Sequence, residues 1–203
     1  MENGGYYSNP RNDVLSLLGR ANADRILEIG GGDFPTLLEI HSRIGGEVWG
    51  VDIRPSDAEI DRMIVGSVTS AAVREQLSSA KFDVIVANDV LEHVEDTEAF
   101  FEVISDRLND AGEILLSVPN IRNVKLLYYV FLKGRFPREE AGLFDKTHLR
   151  WFCRRDIEFL AAEAGLKVAD HRYSGKLVGE GLLKHFWPME FVALQNVFRL
   201  VRA

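Results

Sequence analysis

Glu28-Ile29-Gly30-Gly31-Gly32-Asp33-Phe34 sets an acid inside a short apolar run and follows it with three glycines. Glycines after a strand permit a tight turn with no side chain in the way. A ligand can then approach the backbone near the start of the next helix. An ordinary glycine-rich turn has the same composition. Glu28 favours a site, because an acid among apolar neighbours is unfavourable unless it is paired or serves a ligand. Asp52 stands twenty residues after Gly32, beside Ile53, at the end of a second apolar run. A carboxylate there can accept hydrogen bonds from both cis hydroxyls of a ribose, or cap the turn before Pro55. A nicotinamide dinucleotide fingerprint needs a glycine where Pro35 stands, so that reading fails.

Two histidines are candidate bases, since neutral imidazole is available near pH 7. His93 follows the run Phe82-Asp83-Val84-Ile85-Val86-Ala87-Asn88-Asp89-Val90-Leu91-Glu92. His148 sits in Asp145-Lys146-Thr147-His148-Leu149-Arg150. Each also suits a plain loop-bracing role. The five histidines and scattered acids show no metal-ligand spacing, so no metal site is expected.

Alternating strands and helices must position these residues. Strands are expected at 25–29, 47–53, 63–68, 82–87 and 113–118, and helices from Pro35, over 70–78 and over 97–108. Continuous apolar strands in such alternation mean a mainly parallel sheet covered on both faces, with ligands at the carboxyl ends of the strands. Beyond Asn120 come an aromatic-rich helical stretch at 124–132, a loop at 134–145 and an amphipathic helix at 155–164. Two last strands are expected at 166–173 and 195–201. The apolar link 182–189, bent by Pro188, reads as a lid or short helix within a second lid segment at 176–192.

In their order and spacing, the glycine loop after Glu28, Asp52, FDVIVANDVLEHV and GEILLSVPN resemble a class I S-adenosylmethionine-dependent methyltransferase. The stretch GLFDKTHLRWFCRRDIEFLAAEAGL is similar to a smaller bacterial branch found beside glycosyltransferases and surface-polysaccharide functions. The resemblance implies an α/β, Rossmann-like, doubly wound seven-stranded sheet whose last strand is antiparallel and inserted beside the sixth. It implies S-adenosyl-L-methionine as cofactor. Gly30, Gly31 and Gly32 would pass beneath its methionine part, and Glu28 would orient that loop and the amino group. Asp52 with Ile53 would hold the ribose, Ser67 and Val68 would lie near adenine, and Asn88 and Asp89 would line the methionine side. The insert after the fifth strand would face the acceptor, which makes His148 the preferred base over His93. Two departures stand out. Phe34 replaces the family's third glycine, and a ring there narrows the pocket or shifts the helix start. Ser67 replaces a common Asp and keeps a hydrogen-bond acceptor without the charge.

Composition bounds the rest. The 203 residues make one domain, with an acceptor-side insert at 121–155. Hydrophobic residues at 46% exclude dominant disorder, and no apolar run reaches the ~20 residues of a spanning helix. The start is polar and carries no signal pattern. One cysteine, Cys153, suits a reducing cytoplasm. The net charge of −7 disfavours a general nucleic-acid binder. A nucleic-acid methyltransferase is disfavoured further because Asn88-Asp89-Val90-Leu91 stands where an Asn/Asp-Pro-Pro-aromatic tetrad belongs. The charge is uneven: residues 121–155 hold nine basic and three acidic residues, hence +6, and the rest is −13. The same segment holds seven aromatics. Rings stack on sugars and Arg recognises phosphate or carboxylate, so Tyr128, Arg135, Phe144 and Arg150 are expected to contact a small-molecule or glycan acceptor, in an anionic form. A solvated basic face over core aromatics is the plainer reading. A non-catalytic cofactor-binding module with the same fold is the alternative function. Oligomeric state is not fixed by the sequence.

Overall fold

A computed structural model describes residues 9–175 and 188–203. Seven strands form one sheet: β1 (Arg25–Ile29), β2 (Glu47–Asp52), β3 (Arg62–Val65), β4 (Phe82–Asn88), β5 (Leu108–Pro119), β6 (Leu166–Ser174) and β7 (Gln195–Arg202). Their order is β3-β2-β1-β4-β5-β7-β6. The first five run parallel, while β7 lies antiparallel between β5 and β6.

The apolar strands are buried on both faces because helices cover both. Leu27, Ile29, Ile85 and Ala87 face α3 (Ala71–Leu77), α4 (Thr97–Arg107) and α6 (Arg154–Glu163). Their strand neighbours Ile26, Val84 and Val86 face α1 (Asn12–Leu15) and α2 (Pro35–Ile44). This period-two partition follows from the alternation of side chains along a strand. Local chemistry starts the helices: the Ser70 hydroxyl caps α3 and the Asp96 carboxylate caps α4 through the Ala99 N–H, at 2.9 Å.

The expected elements are present with shifted ends. β3 stops at Val65 and β2 at Asp52, so Ser67, Val68 and Ile53 lie in the turns that follow. β5 begins at Leu108, within the stretch expected to end α4. The polar start contains α1, which buries Val14 and Leu15 and was not expected. After β5, α5 (Val124–Leu127) continues into a π-helical turn, Tyr128–Leu132. Asn120 and Asn123 anchor this insert: both are buried, and both side-chain amides donate to the Ala193 carbonyl, beside α7 (Met189–Val192). Most of the expected second lid, 176–187, lies outside the described residues.

Candidate active site at the carboxyl ends of β1, β2 and β4

β1 and β4 are neighbours from which successive connections run in opposite directions, and the crevice of an open α/β sheet forms at such a point. Glu28 is 2% exposed there. Its Oε2 accepts from the Leu37 N–H at 2.9 Å and its Oε1 from the Asn88 amide at 3.3 Å. Leu37 is the third residue of α2, whose N-cap, Phe34, offers no side-chain cap. Glu28 therefore caps α2 from a neighbouring strand, which accounts for an acid in an apolar run. Burial pushes its carboxyl up to about 7, against those two hydrogen bonds.

The glycines are required by space and by backbone angle. A Cβ on Gly31 would fall 2.8 Å from the Glu28 carboxyl carbon and 2.4 Å from the Phe34 ring. One on Gly30 would fall 2.4 Å from Val90, and Gly32 has φ +60° with open space beside it. Asp52 is buried; its Oδ2 accepts from the Gly32 N–H at 3.0 Å and its Oδ1 from the Arg54 N–H at 2.9 Å. It thus ties the glycine loop to its own turn. Ile53 is exposed, Ser67 is exposed with its hydroxyl 3.0 Å from that of Thr69, and Val68 is buried.

Phe34 corrects the sequence-based expectation. Its backbone sits at φ +56°, the left-handed region a glycine would favour, but its ring is fully buried. The ring packs where a side chain on Gly31 or Gly50 would be, so it turns into the core and leaves the crevice open. The helix still starts at Pro35.

Across the crevice, Asp89 has φ +54° and accepts from the Ser117 hydroxyl at 2.9 Å and from Arg11 Nη1 at 2.6 Å. Arg11 also bonds Asp13, and its backbone N–H donates to Thr36 Oγ1. Asn9 and Arg11 line the cleft together with Glu28, Gly30, Gly31, Asn88 and Asp89. Arg11 was missed from sequence because nothing local links it to Asp89, 78 residues away.

A second cluster sits past β4. The 3-10 turn Leu91–His93 buries Glu92 and exposes His93. The Glu92 carbonyl accepts from the Leu149 N–H at 2.8 Å, which brings in His148. The two imidazole rings meet edge to face, 4.9 Å apart. His148 Nε2 lies 3.8 Å from Glu92 Oε1. Burial, with His93 beside it, pushes the His148 imidazole below its usual value, so it is neutral at pH 7. Glu92 stood within the quoted motif, but only the fold shows that it is buried against His148. The expectation of no metal-ligand set came from spacing along the chain, and the fold brings these three residues together.

The predicted acceptor residues divide. Tyr128 and Arg135 are exposed, with Tyr128 packed against Tyr129 and the Arg135 guanidinium 5.7 Å from the Tyr129 ring. Phe144 is fully buried, and Tyr129 and Phe136 pack on it edge to face. Arg150 donates to the Val94 carbonyl at 2.9 Å, bracing the 3-10 turn. Of the nine basic residues in the insert, Arg122, Lys125, Lys146 and Arg154 form ion pairs with glutamates.

The chain resembles known proteins in the same sense. It is 33% identical over 153 residues to a ubiquinone biosynthesis O-methyltransferase of Chelativorans sp. (strain BNC1), covering 72% of this chain and 60% of that relative. The chain thus spans less than two thirds of its relative's length. The fold is shared with magnesium protoporphyrin IX methyltransferase from Synechocystis PCC 6803, solved with bound SAH (TM-score 0.63, 16% identity, 95% of this chain and 81% of that one). It is shared too with a SAM-dependent methyltransferase from Archaeoglobus fulgidus (TM-score 0.64, 15% identity, 90% and 87%). The profile of the methyltransferase domain family matches residues 7–171, and the chain belongs to that family.

Proposed function

We propose that the chain is an S-adenosylmethionine-dependent methyltransferase acting on a small-molecule or glycan acceptor that carries an anionic group. The observation that carries this reading is the crevice built from Glu28, Gly30, Gly31, Asn88 and Asp89, with Asp52 bonded to the third glycine.

The residues fit the cofactor. Three carboxylates, Glu28, Asp52 and Asp89, surround the glycine turn, which suits a ligand bearing ammonium and sulfonium charges. Asn88 Oδ1 is buried with no hydrogen bond, so a donor from a ligand can satisfy it. Glu28, Asn88 and Asp89 would hold the amino-acid end, Gly30, Gly31 and Gly32 would pass beneath it, Asp52 with Ile53 would hold the ribose, and Ser67 with Val68 would border adenine. When bound, the cofactor supplies a methyl group already activated for displacement.

The chain's own part is alignment, exclusion of water and removal of a proton. Alignment alone contributes much of the acceleration in a displacement at carbon. His148, neutral and with its side chain largely buried, would take the acceptor's proton, with His93 beside it as the second candidate. Tyr128 and Arg135 would contact the acceptor, while Phe144 and Arg150 would hold the surrounding rings and turn. An oxygen acceptor is favoured by the likeness to the O-methyltransferase relative.

Calorimetry with S-adenosylmethionine and S-adenosylhomocysteine tests the cofactor claim, and loss of all binding would refute it. Turnover of candidate glycan and small-molecule acceptors tests the activity. In the active pair, His148→Gln lowers kcat by about 10²- to 10⁴-fold and leaves cofactor affinity unchanged. Unaltered kcat removes His148 from the reaction.

A further inference from the structure

Glu92 is 1% exposed, and neither of its carboxylate oxygens accepts a hydrogen bond. A buried carboxylate in that condition is strongly unfavourable unless something compensates it. Two imidazoles face it. His148, with a side chain 5% exposed, holds Nε2 3.8 Å from Oε1, too far for a hydrogen bond. Its Nδ1 has no hydrogen-bond partner either. One ligand atom from each of Glu92, His93 and His148 falls within 4.8 Å of the others. We propose that these three residues bind a divalent transition-metal ion.

The chemistry of the set favours such an ion. Two imidazoles and one carboxylate suit zinc, manganese, cobalt or nickel, whereas calcium and magnesium prefer oxygen ligands. Metal bonds of about 2.0–2.2 Å place ligand atoms about 3–3.5 Å apart, so the cluster closes by about 1 Å around an ion. His93, on an exposed 3-10 turn, has room for that movement.

Thr147 and Asp145 orient His93 from its other ring nitrogen. Thr147 donates its hydroxyl hydrogen to Asp145 Oδ1 at 2.6 Å. The same hydroxyl oxygen and the Thr147 carbonyl each lie 3.2 Å from His93 Nδ1. With its hydrogen committed to Asp145, the Thr147 hydroxyl can only accept. The hydrogen of His93 therefore sits on Nδ1, and Nε2 carries the lone pair a metal needs. Imidazole ligands are commonly fixed this way, by a bond from the other ring nitrogen. The two backbone segments are joined as well, by the Leu149 N–H to the Glu92 carbonyl and by Arg150 to the Val94 carbonyl.

Three protein ligands leave positions open on the side of His93. An acceptor hydroxyl bound there would lose its proton more readily, and the imidazoles would then serve as ligands rather than as the base. Only this last step rests on the methyltransferase reading; metal binding does not.

The experiment uses the full chain, stripped with a chelator and titrated with Co²⁺ by visible absorption, then competed with Zn²⁺. One equivalent binds, the melting temperature rises, and Glu92→Gln and His148→Gln each weaken binding at least 100-fold. His93→Gln, at an exposed position, keeps the test decisive if the buried variants do not fold, and it weakens binding at least tenfold. Absence of stoichiometric Co²⁺, Zn²⁺ or Mn²⁺ binding at 100 µM overturns the proposal. So does binding that survives all three substitutions, and either result points to a plain carboxyl–imidazole pair. Cofactor calorimetry on the same stripped protein reports separately on the methyltransferase reading.

Discussion

Glu28 joins two roles in one carboxyl group. It caps α2 and lines the crevice proposed to hold the cofactor, and its burial sets its pH behaviour. The folded group holds its proton up to about 7, against 4.5 for an ordinary glutamate. Between those values the folded chain binds more protons than the unfolded one, so this group's contribution to stability falls as pH rises from about 5 to about 7. The full effect is roughly 3 kcal/mol. A cofactor ammonium favours the ionised form. Affinity for S-adenosylmethionine is thus expected to rise between about pH 6 and pH 7.5, and Glu28→Gln should flatten both slopes. Parallel calorimetry and urea melts across that range check this. Phe34 supports a different prediction. Phe34→Gly relieves a left-handed backbone worth about 1–2 kcal/mol, but it empties a core site worth about 3–5 kcal/mol. Net destabilisation of about 2–3 kcal/mol is expected in urea unfolding. Cofactor affinity should not improve, because the ring does not obstruct the crevice.

At the scale of elements, the short helix α1 acts as a strap. Arg11 joins it to Asp89 after β4 and, through its backbone, to Thr36 in α2. Charge-assisted bonds of this kind are the stronger ones. Arg11→Ala is expected to weaken S-adenosylmethionine about tenfold, about 1.4 kcal/mol, while kcat at saturating cofactor stays within about twofold. Equal loss of kcat would instead assign Arg11 to the reacting centre. The strap was not legible in the sequence, since a four-residue helix in a polar start has no periodic pattern. The strands were legible because burial on both faces demands unbroken apolar runs. Their ends were less so: Leu108 fits helical spacing after Ile104, yet it joins β5.

At the scale of the molecule, the net charge of −7 averages an acidic body around the crevice and a basic insert. Ion pairs temper the insert's charge, and Lys133 and Arg135 lie by the rings of Tyr128 and Tyr129. An anionic acceptor would meet these cations. Arg135→Glu is expected to raise the acceptor's KM about tenfold without changing kcat, and added salt should raise KM for the parent enzyme. A KM indifferent to both would remove the anionic group from the proposal. Among the described residues, no helix is long and apolar enough to cross a membrane.

The sequence alone determined the sheet, its order of strands and helices, and the glycine turn with its two acids, because these follow from local periodicity and from backbone freedom at short range. It also carried the family resemblance, which the comparisons uphold at the level of the methyltransferase domain. Tertiary structure decided what depends on distance through space. It turned the Phe34 ring away from the crevice and buried Phe144 beneath its neighbours. It set Arg11 on Asp89 across 78 residues and brought His148 to Glu92 and His93. No spacing along the chain encodes these meetings, because they arise only when separate strands deliver their loops to the same end of one sheet.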